Sequence, residues 1–356
     1  MFTASLGVFL FGLIAALAGG ALGAAIGGNY AFVLVGFAVL ASWGMFAATG
    51  TTIGFDYIAF GPLFGPHVAF AGGVAGAIYA RYKGYMEDGK DVNSALAGLG
   101  RPDVLMVGGA FGVLGFLIQS AVSLIPWFGS HTDSVALTVL LSGIIARWMF
   151  GGAPGAGLMR GSQTTPELYN DGNGLFAKIA PGDEKGGHWL VYQERPNQLL
   201  TIGALFGIMA GGVSLALAAN LGAKMTEMGF DNGLTASLAN TFMFGISAII
   251  ILFLISGRNV PVQHHITNIA GLAAVVFFPI LCGDGFAWTA MGDWDNHYWM
   301  MAIVALILAA LFGIMAGFIV EFAARLLYNR GTSHIDPPAA GIWISNTIIW
   351  AIAALF

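Results

Sequence analysis

The stretch Pro66-His67-Val68-Ala69-Phe70-Ala71-Gly72-Gly73 is similar to a second stretch late in the chain, His264-His265-Ile266-Thr267-Asn268-Ile269-Ala270-Gly271. A segment containing proline and glycine precedes each copy, at 60–66 and at 257–263. Such segments end or kink helices, whereas the run after each histidine is small and apolar. The chain therefore contains one unit twice, and the unit consists of a break, a histidine and an apolar helix.

Composition places this unit in a lipid bilayer. The 356 residues are 57% hydrophobic and only 9% charged, whereas soluble domains carry about 25% charged residues. The 53 glycines fit the same prediction, because small residues let helices approach closely in a membrane. Cys282 is the single cysteine, which excludes an internal disulfide and any cysteine-based metal or redox motif. No basic region precedes the first apolar run, so we expect no cleaved signal peptide.

Apolar runs of about 20 residues, the length of a membrane span, divide the chain into halves. We predict spans at 5–27, 30–50, 66–82, 104–126, 134–150, 199–222, 234–256, 264–281, 298–328 and 337–356. Residues 1–150 then form an N-terminal five-span repeat, and 199–356 form a C-terminal one. The polar segment 151–198 is a cytoplasmic connector, which we interpret as a joint between the halves; an ordered cap is the alternative.

Four matches in the same order support duplication. They pair 10–15 with 205–210, His67 with His265, 111–116 with 312–318, and 130–133 with 333–336. The offset is about 195 residues at the first pair and about 203 at the last, which is the signature of an internal repeat. Because each half has an odd number of spans, the second half enters from the opposite side, as in inverted-repeat transporters and channels.

The basic residues predict the orientation. If the N-terminus is extracellular, 12 of the 13 lysines and arginines lie in inner loops or at inner span ends, and Lys224 is the exception. This bias is what the positive-inside rule requires. We therefore predict an all-α polytopic protein of the plasma (inner) membrane, with two inverted five-span repeats and about ten transmembrane helices. Both termini face out, and broken or re-entrant helices lie near the pseudo-two-fold axis.

The two breaks are the predicted substrate path. Irregular backbone at membrane depth survives only inside protein or beside a water-filled cavity, and a helix start offers free N–H groups. The path residues are His67, Phe70, Gly73, His264, His265, Asn268 and Gly271. The alternative is that these histidines cap helices at the membrane surface. Phe60, Phe64 and Phe70 flank the first break, where rings either stack on a planar solute and form a constriction or simply face lipid.

A second group of polar residues is predicted to gate the path or to carry protons. An aspartate beside a histidine can fix its tautomer or raise its pKa, although a simple helix cap is the alternative. Glu321 has a further alternative, an i,i+4 ion pair with Arg325. The members of the group are His131, Asp133, His334, Asp336, Glu321, its counterpart Gln119, and Asp56.

Several chemistries are missing from the sequence. It has no phosphate-binding loop, no HExxH, no histidine spacing typical of zinc and no basic patch for nucleic acid. We therefore expect no metal, no cofactor, no nucleic-acid partner and no enzymatic activity.

This predicted architecture resembles the urea-transporter type of channel. Each half has five spans and a broken helix, the two halves are inverted, and few charges lie along the path. The resemblance is one of topology and covers most of the chain. The family's Pro/Thr-rich pore sequence is absent, so urea itself is not implied. Such channels are often homotrimers, so the resemblance implies a homo-oligomer, a trimer or a dimer.

The predicted function is a channel or facilitator for a small polar solute. The scarcity of charge inside the spans favours it. The alternative is a proton- or sodium-coupled secondary transporter of a small anion, which the histidine pairs, Glu321 and the helix starts favour. A third hypothesis is a membrane enzyme or scaffold that transports nothing; four pseudo-symmetric polar positions argue against a single active site.

Overall fold

A computed structural model describes residues 6–153, 157–161, 189–329 and 331–356. Within these ranges the chain forms ten principal helices and no β-strand. The all-α prediction is thus confirmed.

Some helices follow one another directly, whereas the longer segments 50–68, 83–101 and the connector separate others. In chain order they are α1 (Leu6–Ile26), α2 (Gly28–Thr49), α3 (Ala69–Tyr82), α4 (Pro102–Ser123), α5 (Ser134–Phe150), α6 (Pro196–Glu227), α7 (Asn232–Ile255), α8 (His264–Cys282), α9 (Asn296–Asn329) and α10 (Pro337–Ala353). A π-helical turn, Gly54–Ala59, lies between α2 and α3, and π turns interrupt α6 at Leu217–Leu221 and end α9 at Ala324–Asn329.

Seven of the helices in the described ranges, α1, α2, α4, α6, α7, α8 and α9, are long and apolar enough to cross a membrane. These helices make the chain a multi-pass membrane protein. The other three are shorter: α3 has 14 residues, and α5 and α10 have 17 each. Prolines begin α4, α6 and α10, where the missing N–H costs no hydrogen bond.

Small residues bring the long helices together. A methyl group on Gly20 of α1 would lie 2.3 Å from the carbonyl oxygen of Gly108 in α4. In the other half, a methyl group on Gly313 of α9 would lie 2.6 Å from the carbonyl oxygen of Gly203 in α6. Only glycine permits such backbone contact, which is the usual way helices associate in a bilayer.

The helix contacts follow the same scheme in each half. Helix α1 packs on α3 and α4, and α6 packs on α8 and α9. Helix α3 packs on α2, α4 and α5, and α8 packs on α7, α9 and α10. Between the halves, α2 packs on α7 and α5 packs on α10. The helices that follow the breaks, α3 and α8, are also the most enclosed, with every residue of 69–78 and of 264–275 buried.

The first break differs in detail from the prediction. We expected a helix from Pro66, but α3 begins at Ala69. The N–H groups of Val68 and Ala69 both donate to the carbonyl oxygen of Gly65, at 2.7 and 2.9 Å, which forms a turn. His67 therefore precedes its helix, whereas His264 begins α8.

The second half begins earlier than predicted. Helix α6 starts at Pro196 and runs to Glu227, so the last residues assigned to the connector 151–198 are helical. Residues 154–156 and 162–188 of the connector lie outside the described residues. Its described end docks on the second break, where Gln193 both donates to the carbonyl oxygen of Val262 (2.8 Å) and accepts from the Val262 N–H (2.9 Å).

Candidate functional site

A cavity of about 380 Å³ lies between the two halves and is called the central cavity here. Helices α2, α3, α5, α7, α8 and α10, or the turns leading into them, all contribute to its wall. Its polar or charged lining residues are Asn29, Ser130, Thr132, Asp133, Ser237, Asn240, Thr241, His264, Asn268, His334, Asp336 and Asn346. The remaining wall is apolar and strongly aromatic.

Five aromatic rings follow one another along the central cavity, and we call them the ring ladder. The centroid distances are 5.8 Å from Phe60 to Phe244, 5.7 Å from Phe244 to Phe32, and 5.9 Å from Phe32 to Phe70. The last step, from Phe70 to His334, is 5.7 Å. Each ring belongs to a residue that lines the cavity. The ladder thus joins the first break to the loop that precedes α10.

Two aspartates hold corresponding positions on the wall. Asp133 accepts the N–H of Ala136 at the start of α5, and Asp336 accepts the N–H of Ala339 at the start of α10, both at 2.8 Å. Both aspartates therefore cap helices, which was the alternative prediction for them. A carboxylate accepts more than one hydrogen bond, and both residues remain half-buried on the cavity wall.

The two predicted histidine–aspartate pairs differ. The Nε2 of His334 lies 3.3 Å from an oxygen of Asp336. By contrast, the Nδ1 of His131 contacts the carbonyl oxygen of Trp127 (2.6 Å), and its ring stacks on that indole. The expected pairing is therefore present before α10. The hydrogen bonds of His131 are with its own turn, and its ring contacts that of Trp350 in α10, with centroids 5.2 Å apart.

The amide side chains form a second polar patch. Asn240 donates to the Oδ1 of Asn268 at 2.7 Å, which links α7 to α8 on the cavity wall. Within the described residues, the Nδ1 atoms of His264 and His334 and the Oδ1 of Asn346 have no protein partner. All three side chains are at least nine-tenths buried and line the central cavity. Buried polar atoms usually have partners, so these three atoms mark the cavity as a place for a polar ligand or water.

A second cavity of about 550 Å³ adjoins the first and shares Phe60 and Val135 with it. It is lined by the π turn, by α4 and by the first break. Its ionisable or polar members include Asp56, His67 and Gln119. Asp56 accepts a hydrogen bond from Thr52 at 2.7 Å.

The structure thus separates the predicted site residues into three groups. Phe70, Asp133, His264, Asn268, His334 and Asp336 line the central cavity. Asp56, His67 and Gln119 line the second cavity. Gly73, His131, His265, Gly271 and Glu321 line neither.

Packing explains why three of the last group line neither cavity. A methyl group on Gly73 would lie 2.6 Å from the Cα of Gly28, and one on Gly271 would lie 2.5 Å from the Oγ of Ser214. These glycines let helices touch. The ring of His265 is fully buried, 6.4 Å from that of Trp189.

Glu321 forms the ion pair that was the alternative prediction, with the Nε of Arg325 at 2.5 Å. The carboxylate of Glu194, at the described end of the connector, belongs to the same electrostatic group. Burial raises the pKa of Glu194, and Arg325 and Arg195 oppose the rise. Arg325 thus attracts a carboxylate of α9 and a carboxylate of the connector.

Sequence reasoning missed several wall residues. Phe32 and Phe244 complete the ring ladder, and Asn240 bonds Asn268. An asparagine within an apolar run was a usable signal for Asn240, because polar groups are costly in a membrane. The two phenylalanines carried no signal, since most of the 27 phenylalanines look alike in sequence.

The loop between α3 and α4 and the helix α5 both hydrogen-bond to the segment that carries His334. The His334 N–H donates to the carbonyl oxygen of Gly89 at 3.1 Å, and the fully buried Arg147 donates from its Nε to the Oγ of Ser333 at 2.8 Å. Lys90 lies over the ring of Tyr328, 5.0 Å from its centroid. Burial lowers the pKa of Lys90 to about 8; Arg147 adds to this effect and Asp88 opposes it.

Comparison with known proteins places the whole chain in one family. The family pattern of DUF7973, described as a family of unknown function, matches residues 3–356. The chain belongs to DUF7973. No curated protein and no solved structure matches this DUF7973 chain. The two cavities therefore supply the argument about what this DUF7973 member does.

Proposed function

We propose that this DUF7973 chain is a membrane channel or facilitator for a small polar solute. Its path would run through the second cavity and the central cavity. The proposal includes ten spans arranged as two inverted five-span repeats. The seven long helices supply seven of these spans, and the shorter helices α3, α5 and α10 supply the other three.

The proposal rests on one observation: residues at corresponding positions of the two halves line the same cavity. Asp133, Val135, Ala136 and Val139 line the central cavity, and so do Asp336, Pro338, Ala339 and Ile342. The two sets have the same spacing along the chain. Residues related by a duplication come to face one cavity when the pseudo-two-fold axis passes through it. Binding sites at the interface between repeats are typical of transporters.

The contact scheme supports the same arrangement. Every helix pair that packs within the first half has a counterpart in the second, and the contacts between halves join corresponding helices, α2 with α7 and α5 with α10. A two-fold relation between the halves produces this pattern. An odd number of spans in each half makes the axis lie in the membrane plane, with the halves inverted.

Orientation is part of the proposal. We place both termini on the outer side of the plasma (inner) membrane, because the basic residues then lie inside. In a Cys282→Ala background, we expect Glu87→Cys to react with a membrane-impermeant maleimide only from the inside. We expect Asp284→Cys to react only from the outside. Both side chains are exposed and lie between helices. The opposite labelling pattern would reverse the orientation, and labelling from one side at both sites would contradict the span count.

Filling the cavity tests the path. We expect Ala136→Phe and Ala339→Phe each to lower solute flux into proteoliposomes at least fivefold, because each ring would enter the central cavity. The matched control is Ala351→Phe, on the same helix as Ala339 but exposed. The assay follows a panel of small solutes, including urea, acetamide and glycerol, by light scattering. Flux that is equal in all three variants and wild type would contradict the proposed path.

A proton-coupled mechanism is the second candidate, and the contact between His334 and Asp336 on the cavity wall favours it. Histidine is the side chain that most readily exchanges protons near neutral pH. A coupled carrier would accumulate solute when a pH gradient is imposed. A facilitator would equilibrate the solute and show flux that rises linearly with concentration.

A further inference from the structure

The lining of the two cavities also restricts the class of solute. We propose that the central cavity takes a small organic cation that carries N–H donors, of the ammonium or guanidinium type. This inference rests on the proposed function, because it names the solute of the same path. It replaces the anion considered from the sequence with a ligand of opposite charge.

Charge is the first argument. The central cavity is lined by two carboxylates, Asp133 and Asp336, and the second cavity by one, Asp56. No lysine or arginine of the described chain is among the lining residues of either cavity. An anion in a low-dielectric cavity would meet only repulsion from these carboxylates, whereas a cation would be attracted.

Two cationic side chains near the central cavity add no positive charge to its lining. Arg147 donates to Ser333, and Lys90 lies over Tyr328. Arg147 contacts the segment that carries His334, and neither Arg147 nor Lys90 lines either cavity.

The ring ladder is the second argument. Phe60, Phe244, Phe32 and Phe70 line the cavity in succession. A cation within about 6 Å of an aromatic centroid is attracted by the ring quadrupole, and a planar guanidinium also stacks on the ring. These rings would therefore stabilise a cation at each step between the second cavity and Asp336. Neutral solutes would gain only apolar contact from them.

The unpartnered polar atoms are an independent observation. Asn346 Oδ1 accepts hydrogen bonds only, and neutral His264 and His334 each have one ring nitrogen that accepts. Their side chains line the cavity and, within the described residues, Asn346 Oδ1 and both Nδ1 atoms lack a protein partner. Acceptors together with carboxylates fit a ligand rich in N–H donors.

A bare metal ion fits less well. Within the described residues, no three histidine, cysteine, aspartate or glutamate side chains come together as metal ligands would. Calcium prefers six to eight oxygen ligands and magnesium near-ideal octahedral geometry. The apolar rings of the cavity wall supply no such ligands. An organic cation needs only hydrogen-bond acceptors and aromatic faces.

The test uses three planar solutes of similar size and different charge: guanidinium, urea and acetate, each at millimolar concentration. Binding is measured as the shift in melting temperature of the full chain in nanodiscs, and flux is measured in proteoliposomes. The key variant is Asp133→Asn with Asp336→Asn, because asparagine also caps helices well and only the charges are lost. Asp284→Asn, an exposed loop substitution, is the matched control.

We expect guanidinium to raise the melting temperature of wild type and of Asp284→Asn by several degrees and to shift the double variant by less than one degree. We expect guanidinium flux to exceed urea and acetate flux at least tenfold in wild type, and to fall at least tenfold in the double variant. Stabilisation by acetate or urea equal to that by guanidinium, or an unchanged double variant, would overturn the inference. If guanidinium binds as expected but no solute crosses the bilayer, the cation site stands and the proposed function fails. Faster flux of urea or acetate than of guanidinium would sustain the path and overturn the cation proposal.

Discussion

Gly36 in α2 and Gly245 in α7 cross with their backbones in contact. A methyl group on Gly36 would lie 2.6 Å from the carbonyl oxygen of Gly245, and one on Gly245 would lie 2.9 Å from a methyl carbon of Val39. This crossing joins the two halves of the molecule beside the central cavity, because Phe32 and Phe244 of the ring ladder lie on the same two helices. The contact depends on the absence of side chains at both positions.

Gly36→Ala is therefore expected to destabilise the protein by about 1–3 kcal/mol, the usual cost of overpacking. The matched control is Gly44→Ala on the same helix, where a methyl group would meet nothing within 4 Å. The control should be neutral or slightly stabilising, because alanine favours the helix over glycine by roughly 1 kcal/mol. The measurement is the free energy of unfolding in an SDS titration. Equal effects at the two positions would contradict the crossing.

The caps at Asp133 and Asp336 predict a difference between two substitutions. Alanine at either position removes the acceptor of the 2.8 Å bond to the first turn, so we expect a loss of about 0.5–2 kcal/mol. Asparagine keeps the acceptor and should cost less than half as much. Melting temperatures of the four single variants test this ranking. Asparagine variants as unstable as the alanine variants would show that charge, not capping, stabilises these helix starts.

Replacing His265 with an apolar residue is expected to stabilise the protein. Within the described residues, both of its ring nitrogens are buried without a partner, and an unsatisfied buried polar group costs about 1–3 kcal/mol. His265→Leu should therefore raise the free energy of unfolding by up to that amount. His334→Leu is the comparison, and it should lower stability because it removes the contact with Asp336. Destabilisation by His265→Leu would mean that the ring nitrogens have a partner in the membrane.

Lys90 predicts a dependence of stability on pH. Burial lowers its pKa from 10.5 to about 8 in the folded chain, so the unfolded chain binds more protons between these two values. Stability attributable to Lys90 must then rise with pH over that interval, by an amount on the order of 1–3 kcal/mol, and stay at its lowest below about pH 8. Lys90→Met should lack this rise, while other titrating groups act equally in both proteins. Parallel stability curves for wild type and Lys90→Met between pH 8 and 10.5 would contradict the shifted pKa.

The helices were predictable because hydrophobic length is a local property of the chain. Each of the ten helices lies at a predicted span, and the largest differences are at ends. Helix α3 begins at Ala69 and not at Pro66, because a turn on the Gly65 carbonyl precedes it. Helix α6 continues to Glu227 through a π turn, which periodicity does not reveal.

The candidate site was predictable only in part. His264, Asn268 and the two aspartates were identified because polar residues are conspicuous in apolar sequence, and they line the central cavity. His265 and Glu321 were equally conspicuous but line neither cavity. Which side of a helix faces a cavity depends on how neighbouring helices pack, and no local signal carries that information.

The sequence by itself determined that the chain is helical and membrane-embedded, since both follow from composition and run length, and its self-similarity predicted an internal repeat. Only the tertiary structure decided that Phe60, Phe244, Phe32, Phe70 and His334 form one ladder along one cavity. The physical reason is that these rings come from separate segments of the chain and meet only through contacts such as that of Gly36 with Gly245. Contacts between segments far apart in the chain depend on the shapes of both partners, and neither segment records the shape of the other.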